Sequence, residues 1–348
     1  MWRNTPAEQC KDNDAFMLRH FFGFDPNSVT RYLQGNNLIL AQPVFNQYEV
    51  QFGNPVPWVS LSTDVERIID ANFNLKPPKT RAIKYIKSDD SYFKSFHHAQ
   101  AIANGTHYYI HMKTESELES NLVTATEVDV AVPPVSMDTP FGAFRVASYP
   151  EKTMKLAVIK VHAPGLSVSP LSFTNKERDR YWNRAFSAAN TSYTFFNIPD
   201  ITISYDTAPT DNRLDENFLS TEALFTMNQV QIAIETYLET SKSSINYADI
   251  DQVLLYVENL SVGTYGKAQG LGKPNKFVFV SSGAHFVGAE PKENFLNSIT
   301  HEVGHLLNLS HPFHQFTGMV IGSDPANIMD YSNGNLFRKY QWDIINSY

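Results

Sequence analysis

The spacing of apolar residues along the second half of this chain predicts its strands and helices. The run at 155–161 is almost wholly apolar and predicts a buried strand. Thr174 and Glu177 have the spacing of a capping box, so a helix is predicted to begin there. Apolar residues at helical spacing predict further helices at 221–239, 292–308 and 336–345. Further strands are predicted at 201–205, 253–257 and 277–280.

Prolines divide this pattern from the first part of the chain. They cluster at Pro133, Pro134, Pro140 and Pro150, which predicts a domain boundary. The 348 residues, 42% of them hydrophobic, suffice for two cores. We therefore expect an α+β protein with an N-terminal α+β domain at 1–150 and a second domain at 151–348.

Composition narrows the classes of partner. The net charge is −8 and no basic run is present, which argues against nucleic acid and anionic membranes as partners. No stretch approaches the roughly 20 apolar residues that a membrane-spanning helix needs. Cys10 is the single cysteine, so no internal disulfide can form. The first residues do not have the pattern of a signal peptide.

One motif near the C-terminus carries the chemistry. It has the form H-E-x-x-H-x-x-N-x-x-H and begins at His301. His301 and His305 are four residues apart, so both rings lie on one face of a helix and can bind one metal ion. Glu302 lies about 100° round the helix, where it can act on the metal's water rather than on the metal. Three protein ligands with an open position are typical of catalytic zinc, whereas a structural zinc site needs a fourth ligand.

The third ligand requires the helix to end. If the helix continued, His311 would lie roughly 9 Å further along the axis and point away from the metal. Asn308 stands between His305 and His311, and asparagine tolerates the left-handed conformation that terminates helices. The motif therefore contains its own terminator.

These residues resemble the metzincin metallopeptidases, whose motif has glycine where this chain has Asn308. The segment 327–331 follows His311 as the family's Met-turn does. The resemblance implies a twisted mixed sheet, a backing helix, a zinc helix and a small C-terminal subdomain. It also implies that Met329 forms the floor of the metal site, and that Tyr331 could donate a hydrogen bond to the oxyanion, although simple packing is the alternative for Tyr331.

The resemblance implies a Zn²⁺-dependent endopeptidase that acts on protein or peptide substrates, with Glu302 as general base and acid. Such peptidases usually act outside the cell, so we expect a secreted protein from which the signal has been removed; a cytoplasmic protein is the alternative. A different class also stays open: a latent or inactive zinc fold that serves binding or a toxin-like function.

Residues 1–150 allow two interpretations. As the prodomain of a zymogen they would supply a ligand to the metal, with Cys10, Asp89 or Asp90 as candidates, although the surroundings of Cys10 do not match a cysteine switch. As an accessory domain they would recognise substrate.

Further residues outside the motif are candidates for a functional role. The glycine-rich stretch 263–272 is either a substrate-binding edge strand or an ordinary hairpin. His314 is expected near the cleft. A second metal site is one interpretation of His97, His98, His107 and His111, but they lack a helix or carboxylate context in the sequence, so we predict histidines scattered on the surface.

Overall fold

A computed structural model describes most of the second half of the chain and parts of the first. The described residues are 31–34, 37–40, 50–51, 54–55, 58–72, 81–87, 90–100, 107–129, 139–162, 173–203, 221–257, 266–281, 292–311, 315–316, 319–320, 327–329, 337 and 339–348.

Within these ranges, strands and helices occur in the following order. The strands before residue 150 are β1 Arg31–Gln34, β2 Asn37–Leu40, β3 Val50–Gln51, β4 Asn54–Pro55, β5 Trp58–Ser62, β6 Arg67–Asn72, β7 Arg81–Lys87, β8 Phe93–Gln100, β9 His107–Thr114, β10 Leu118–Asp129 and β11 Thr139–Tyr149. The later strands are β12 Lys152–His162, β13 Thr191–Asn197, β14 Ile201–Thr202, β15 Gln252–Val257, β16 Gly266–Ala268, β17 Phe277–Ser281, β18 Gln315–Phe316 and β19 Met319–Val320. The helices are α1 Asn175–Phe186, α2 Thr221–Thr240, α3 Lys292–Leu306 and α4 Lys339–Ser347.

A six-stranded sheet forms the centre of the second half. Its order is β13-β12-β15-β17-β16, and β14 also pairs with β12. All pairs are parallel except β16 with β17, which is antiparallel. Every residue of β15 and β17 is buried, as strands covered on both faces require. The predicted strands at 155–161, 253–257 and 277–280 are confirmed, whereas β13 was not predicted.

Helices cover both faces of this sheet. One core joins α1, α3 and α4 to the face that carries Leu254 and Val278, and Trp182 of α1 donates a hydrogen bond to Thr300 of α3. The other core packs α2 against the face that carries Leu255. The capping box at Thr174 is present, and all four predicted helices exist with ends shifted by one to three residues.

The first half consists of smaller sheets. One sheet has the order β5-β11-β10-β7 and another the order β6-β9-β8. A third sheet, β1-β2-β19-β18, joins the N-terminal segment to the region after the motif that begins at His301. The described chain is therefore α+β with several mixed sheets. Among the described residues, no helix is long and apolar enough to span a membrane.

The described part of the predicted boundary, from residue 139 onward, belongs to strands β11 and β12, while Pro133 and Pro134 lie outside the described residues. Pro140 lies inside β11, opposite Thr126 at a register shift in β10, a position where a strand tolerates proline. Pro150 separates β11 from β12. Side chains also connect the two halves: Ser62 Oγ donates to Asn190 Oδ1 at 2.7 Å, and the Tyr149 hydroxyl donates to Asp343 Oδ1 at 2.7 Å. The division at residue 150 remains a prediction.

Two isoleucines on α2 test how this helix packs. Ile234 is 0% exposed, whereas Ile232, two residues earlier, is 47% exposed. We expect Ile234→Ala to lower the free energy of unfolding by about 2–5 kcal/mol, because it leaves a cavity against the sheet. The control Ile232→Ala should change it by about 0.5 kcal/mol or less. Urea unfolding measures both values, and similar losses in the two variants would contradict the packing of α2.

Candidate functional site

The end of α3 has the geometry that the motif requires. Asn308 has a φ of 67° and therefore adopts the left-handed conformation. The Asn308 N–H donates to the His305 carbonyl at 2.9 Å, and the Leu309 N–H donates to the Gly304 carbonyl at 3.1 Å. This is the hydrogen-bond pattern of a Schellman cap. The predicted termination at Asn308 is confirmed, and the reversed chain brings His311 back beside α3.

The three motif imidazoles converge on one point. The ring centroids lie 4.8 Å apart for His301 and His305, 5.0 Å for His301 and His311, and 4.7 Å for His305 and His311. One ligand atom from each residue lies within 4.8 Å of the others. His301 is buried and the other two are half-buried, so the cluster faces the solvent from one side only.

Backbone carbonyls determine the tautomers of two of these rings. His301 Nδ1 lies 2.8 Å from the Ile328 carbonyl oxygen, and His305 Nδ1 lies 2.7 Å from the Leu309 carbonyl oxygen. A carbonyl oxygen only accepts, so each Nδ1 must carry the hydrogen. In the neutral ring each Nε2 then carries the lone pair, which is the form of imidazole that binds a metal.

The spacing of the nitrogens fits a tetrahedral ion. His301 Nε2 and His311 Nε2 are 3.0 Å apart. Zinc–nitrogen bonds of 2.0–2.1 Å place two tetrahedral ligands roughly 3.3 Å apart. The donor set of three neutral imidazoles, half-open to the solvent, could hold Zn²⁺ and leave one position for water or substrate.

Glu302 lies beside this cluster in a cleft. The cleft has a volume of about 380 Å³, and Gly266, Ala268 and Leu271 line it together with Glu302 and the three histidines. Burial raises the pKa of Glu302 from its ordinary value to about 7, while the Ala268 N–H and the Lys267 ammonium group act in the opposite direction. The Ala268 N–H donates to Glu302 Oε2 at 2.9 Å. A carboxyl group with a pKa near neutrality can both take and return a proton.

Glycine at 266 allows this approach. A Cβ at Gly266 would lie 2.6 Å from Glu302 Cγ, closer than a carbon contact permits. The glycine-rich stretch contains β16, which lies at the end of the six-stranded sheet and pairs antiparallel with β17. This arrangement fits both an ordinary hairpin and a substrate-binding edge strand. The carboxylate is therefore enclosed between the helix that carries it and the backbone of the sheet edge.

Met329 lies beneath the helix that carries the ligands. It is 0% exposed, and a Cβ at Gly304 would lie 2.5 Å from its sulfur. Asn327 Oδ1 accepts hydrogen bonds from the Met329 N–H at 2.9 Å and from Gln341 Nε2 at 3.1 Å. The turn at 327–329 thus packs Met329 under α3 and presents the Ile328 carbonyl to His301.

Four residues of the predicted site, Tyr331, His314, Cys10 and Asp89, are outside the part of the chain that the structure describes. Asp90 forms an ion pair with Lys87. Sequence reasoning missed the backbone groups of Ile328, Leu309 and Ala268, because a backbone group leaves no signal in residue identity. Gly304 and Gly266 do leave a signal, since both stand where a side chain would collide.

Comparisons with known proteins add little. No protein-family model and no curated protein matches this chain. Among solved structures, a 2,6-sialyltransferase of Photobacterium sp. JT-ISH-224, in complex with CMP and lactose, has 8% sequence identity and a TM-score of 0.19. The match covers 58% of this chain and 35% of that protein's length. A likeness at that TM-score carries no argument about fold or function.

Gly304 and Met329 should be energetically coupled. Gly304→Ala adds helix propensity of up to about 1 kcal/mol, but the new methyl group collides with Met329 Sδ. We expect a net loss of about 1–3 kcal/mol in the free energy of unfolding. In a Met329→Ala background the same substitution should be neutral or stabilising. A double-mutant cycle by chemical unfolding measures this coupling. Additive effects would show that the added methyl group does not touch Met329.

The buried carboxyl group of Glu302 should make the stability of the metal-free protein depend on pH. Its pKa is about 7 in the folded chain, against 4.5 for a glutamate that is not buried. Between these values the unfolded state releases a proton that the folded state keeps, so stability falls as pH rises. Relative to Glu302→Gln, the wild type should lose up to about 3 kcal/mol between these two pH values and no more above them. A difference that does not change over this interval would contradict the burial of the group.

Proposed function

We propose that this chain is a zinc-dependent endopeptidase of the metzincin type, with a metzincin-like catalytic domain at 151–348. The observation that carries the proposal is the combination of three converging imidazoles with a buried glutamate. The tautomers of His301 and His305 are set for metal binding, and Glu302 follows the first of them in an open cleft. A structural zinc site would need a fourth protein ligand, and the cleft offers solvent access instead.

His301, His305 and His311 would hold Zn²⁺, which lowers the pKa of a water molecule and polarises a carbonyl group. Glu302 would take the proton from the attacking water, since it lines the same cleft as the three imidazoles. It would then pass this proton to the leaving nitrogen as the peptide bond breaks. Tyr331 is proposed to donate a hydrogen bond to the oxyanion.

The substrate is proposed to be an extended peptide. The antiparallel strand β16 is at the sheet edge and pairs with β17 on one side, and Gly266, Lys267 and Ala268 line the cleft on the other. A peptide could extend the sheet there through main-chain hydrogen bonds. Leu271 lines the same cleft and is 50% exposed, so it offers an apolar contact to a substrate side chain.

One feature bears on how the proposed site would be regulated. Backbone pairing of β2 with β19 brings residues 37–40 to the segment between His311 and Met329. This pairing supports a role for the N-terminal part at the cleft, either as a removable prodomain or as an accessory domain. The secreted location is proposed from the class of enzyme alone.

A latent zinc protein that serves binding is the second candidate. The pairing of β2 with β19 favours it, because it joins the N-terminal part of the chain to the segment that follows His311. An intact Glu302 with a near-neutral pKa favours the enzyme, since a protein that only binds zinc has no use for a buried carboxyl group beside the ligands.

The test separates metal binding from catalysis. We expect the wild type to bind zinc through the motif and to cleave an unfolded protein substrate. Glu302→Ala should retain that zinc and lose activity by about 10²–10⁴-fold, the usual contribution of a general base. His305→Ala should lose the zinc as well. The exposed Glu239 gives a matched control, and Glu239→Ala should behave as the wild type.

Metal content by mass spectrometry and cleavage followed by gel electrophoresis provide the two measurements. Equal cleavage by wild type and Glu302→Ala would refute the enzyme. Zinc bound through the motif without any cleavage would favour the latent protein. A zinc content that does not fall in His305→Ala would refute both the enzyme and the latent zinc protein.

A further inference from the structure

The three-stranded sheet β6-β9-β8 carries a second cluster of metal-ligating side chains. His97 of β8 and His111 of β9 are directly opposite each other in the antiparallel register. Their rings stack with centroids 4.5 Å apart and an interplanar angle of 18°. The prediction that these two histidines are scattered is wrong, because residues 14 apart in sequence become cross-strand neighbours only when the hairpin register is known.

A carboxylate completes the cluster, which the sequence analysis did not expect. Glu66 precedes β6, and its Oε1 lies 3.9 Å from His111 Nδ1. One ligand atom from each of Glu66, His97 and His111 lies within 4.8 Å of the others. Two imidazoles and one carboxylate form a donor set that suits zinc, as in sites with two histidines and one glutamate.

The sheet gives this cluster a rigid base. On β9, Ile110 and Met112 are 0% exposed and pack into the core of the N-terminal sheets. Side chains alternate along a strand, so His111 between them points to the outer face. On that face Ile68 is directly opposite His111, so His111 lies between the other two strands of the sheet.

The side chains must turn before they can bind one ion. Ligand atoms around zinc lie roughly 3.3 Å apart, whereas those of the three groups lie within 4.8 Å of one another. The lone pair of an imidazole lies in the plane of its ring, and the two rings are nearly parallel, so at least one of them must rotate. His97 and Glu66 are exposed and can rotate toward the half-buried His111.

We propose that Glu66, His97 and His111 form a second zinc site, separate from the motif at His301. An ion there would connect β8 and β9 with the residue that precedes β6, on the outer face of this sheet. With three protein ligands it would keep one position open for water, and the site belongs to the N-terminal part of the protein. It stands independently of the proposed peptidase activity.

Zinc binding by the full chain tests the site. The metal-free protein is titrated with Zn²⁺ by isothermal calorimetry, and we expect two equivalents in the wild type. His97→Ala and His111→Ala should each weaken one of them by about tenfold or more, and Glu66→Gln should weaken the same one. His162→Ala is the matched control, because His162 also faces a single carboxylate, with 3.3 Å between its Nε2 and Asp200 Oδ2, but has no second histidine in that pair.

The outcomes distinguish this site from the motif. Loss of one equivalent in the His97 and His111 variants, but not in His162→Ala, supports the proposal, while His305→Ala should remove the other equivalent. Failure of the peptidase proposal would leave one equivalent that still depends on His97. Binding that is unchanged in both His97→Ala and His111→Ala, or lost equally in His162→Ala, would overturn the second site. Circular dichroism of each variant checks that the fold is retained.

Discussion

The reversal of the chain at Asn308 is the constraint on which the candidate site depends. Two hydrogen bonds onto the last turn of α3 and a left-handed φ of 67° stop the helix. This stop frees the Leu309 carbonyl to accept from His305 Nδ1 and returns His311 to a nitrogen–nitrogen distance of 3.0 Å from His301. Glycine would reach the same φ without a Cβ penalty. Asparagine is the side chain that replaces it most readily.

This cap is also held from outside the helix. The Gly272 N–H donates to the His305 carbonyl at 3.0 Å, so the loop after β16 contacts the helix end directly. Gly272 has a φ of 61°, and a Cβ there would lie 3.2 Å from the Asn308 Cβ. The loop that follows β16 and the end of α3 therefore constrain each other. A change in this loop would alter the position of His305, even though the loop contains none of the three motif histidines.

Local sequence patterns predicted those features of the site that depend on residues close together in the sequence. Ligand spacing, the helix terminator and the edge strand all follow from residues within about a dozen positions of one another. β13 alternates buried and exposed residues at Thr191, Ser192, Tyr193 and Thr194. Only the 3-10 turn Ser187–Ala189 and Asn190 separate it from α1, so its start is hard to distinguish from the helical pattern before it. The contacts of Ile328 with His301, of Met329 with Gly304 and of His97 with His111 join residues distant in sequence, and only the tertiary structure determines them.

The proposed function places opposing demands on Glu302. Burial between α3 and β16 raises the pKa of its carboxyl group, whereas the Ala268 N–H stabilises the charged form. Gly266 permits the close approach that produces both effects, since any side chain there would move the strand away from the helix. A cation bound by the three histidines would lower the pKa of Glu302 and favour its carboxylate form. The same backbone amide that orients Glu302 lies on the strand proposed to receive the peptide. Substrate binding and proton transfer are therefore coupled through one short segment of the sheet edge.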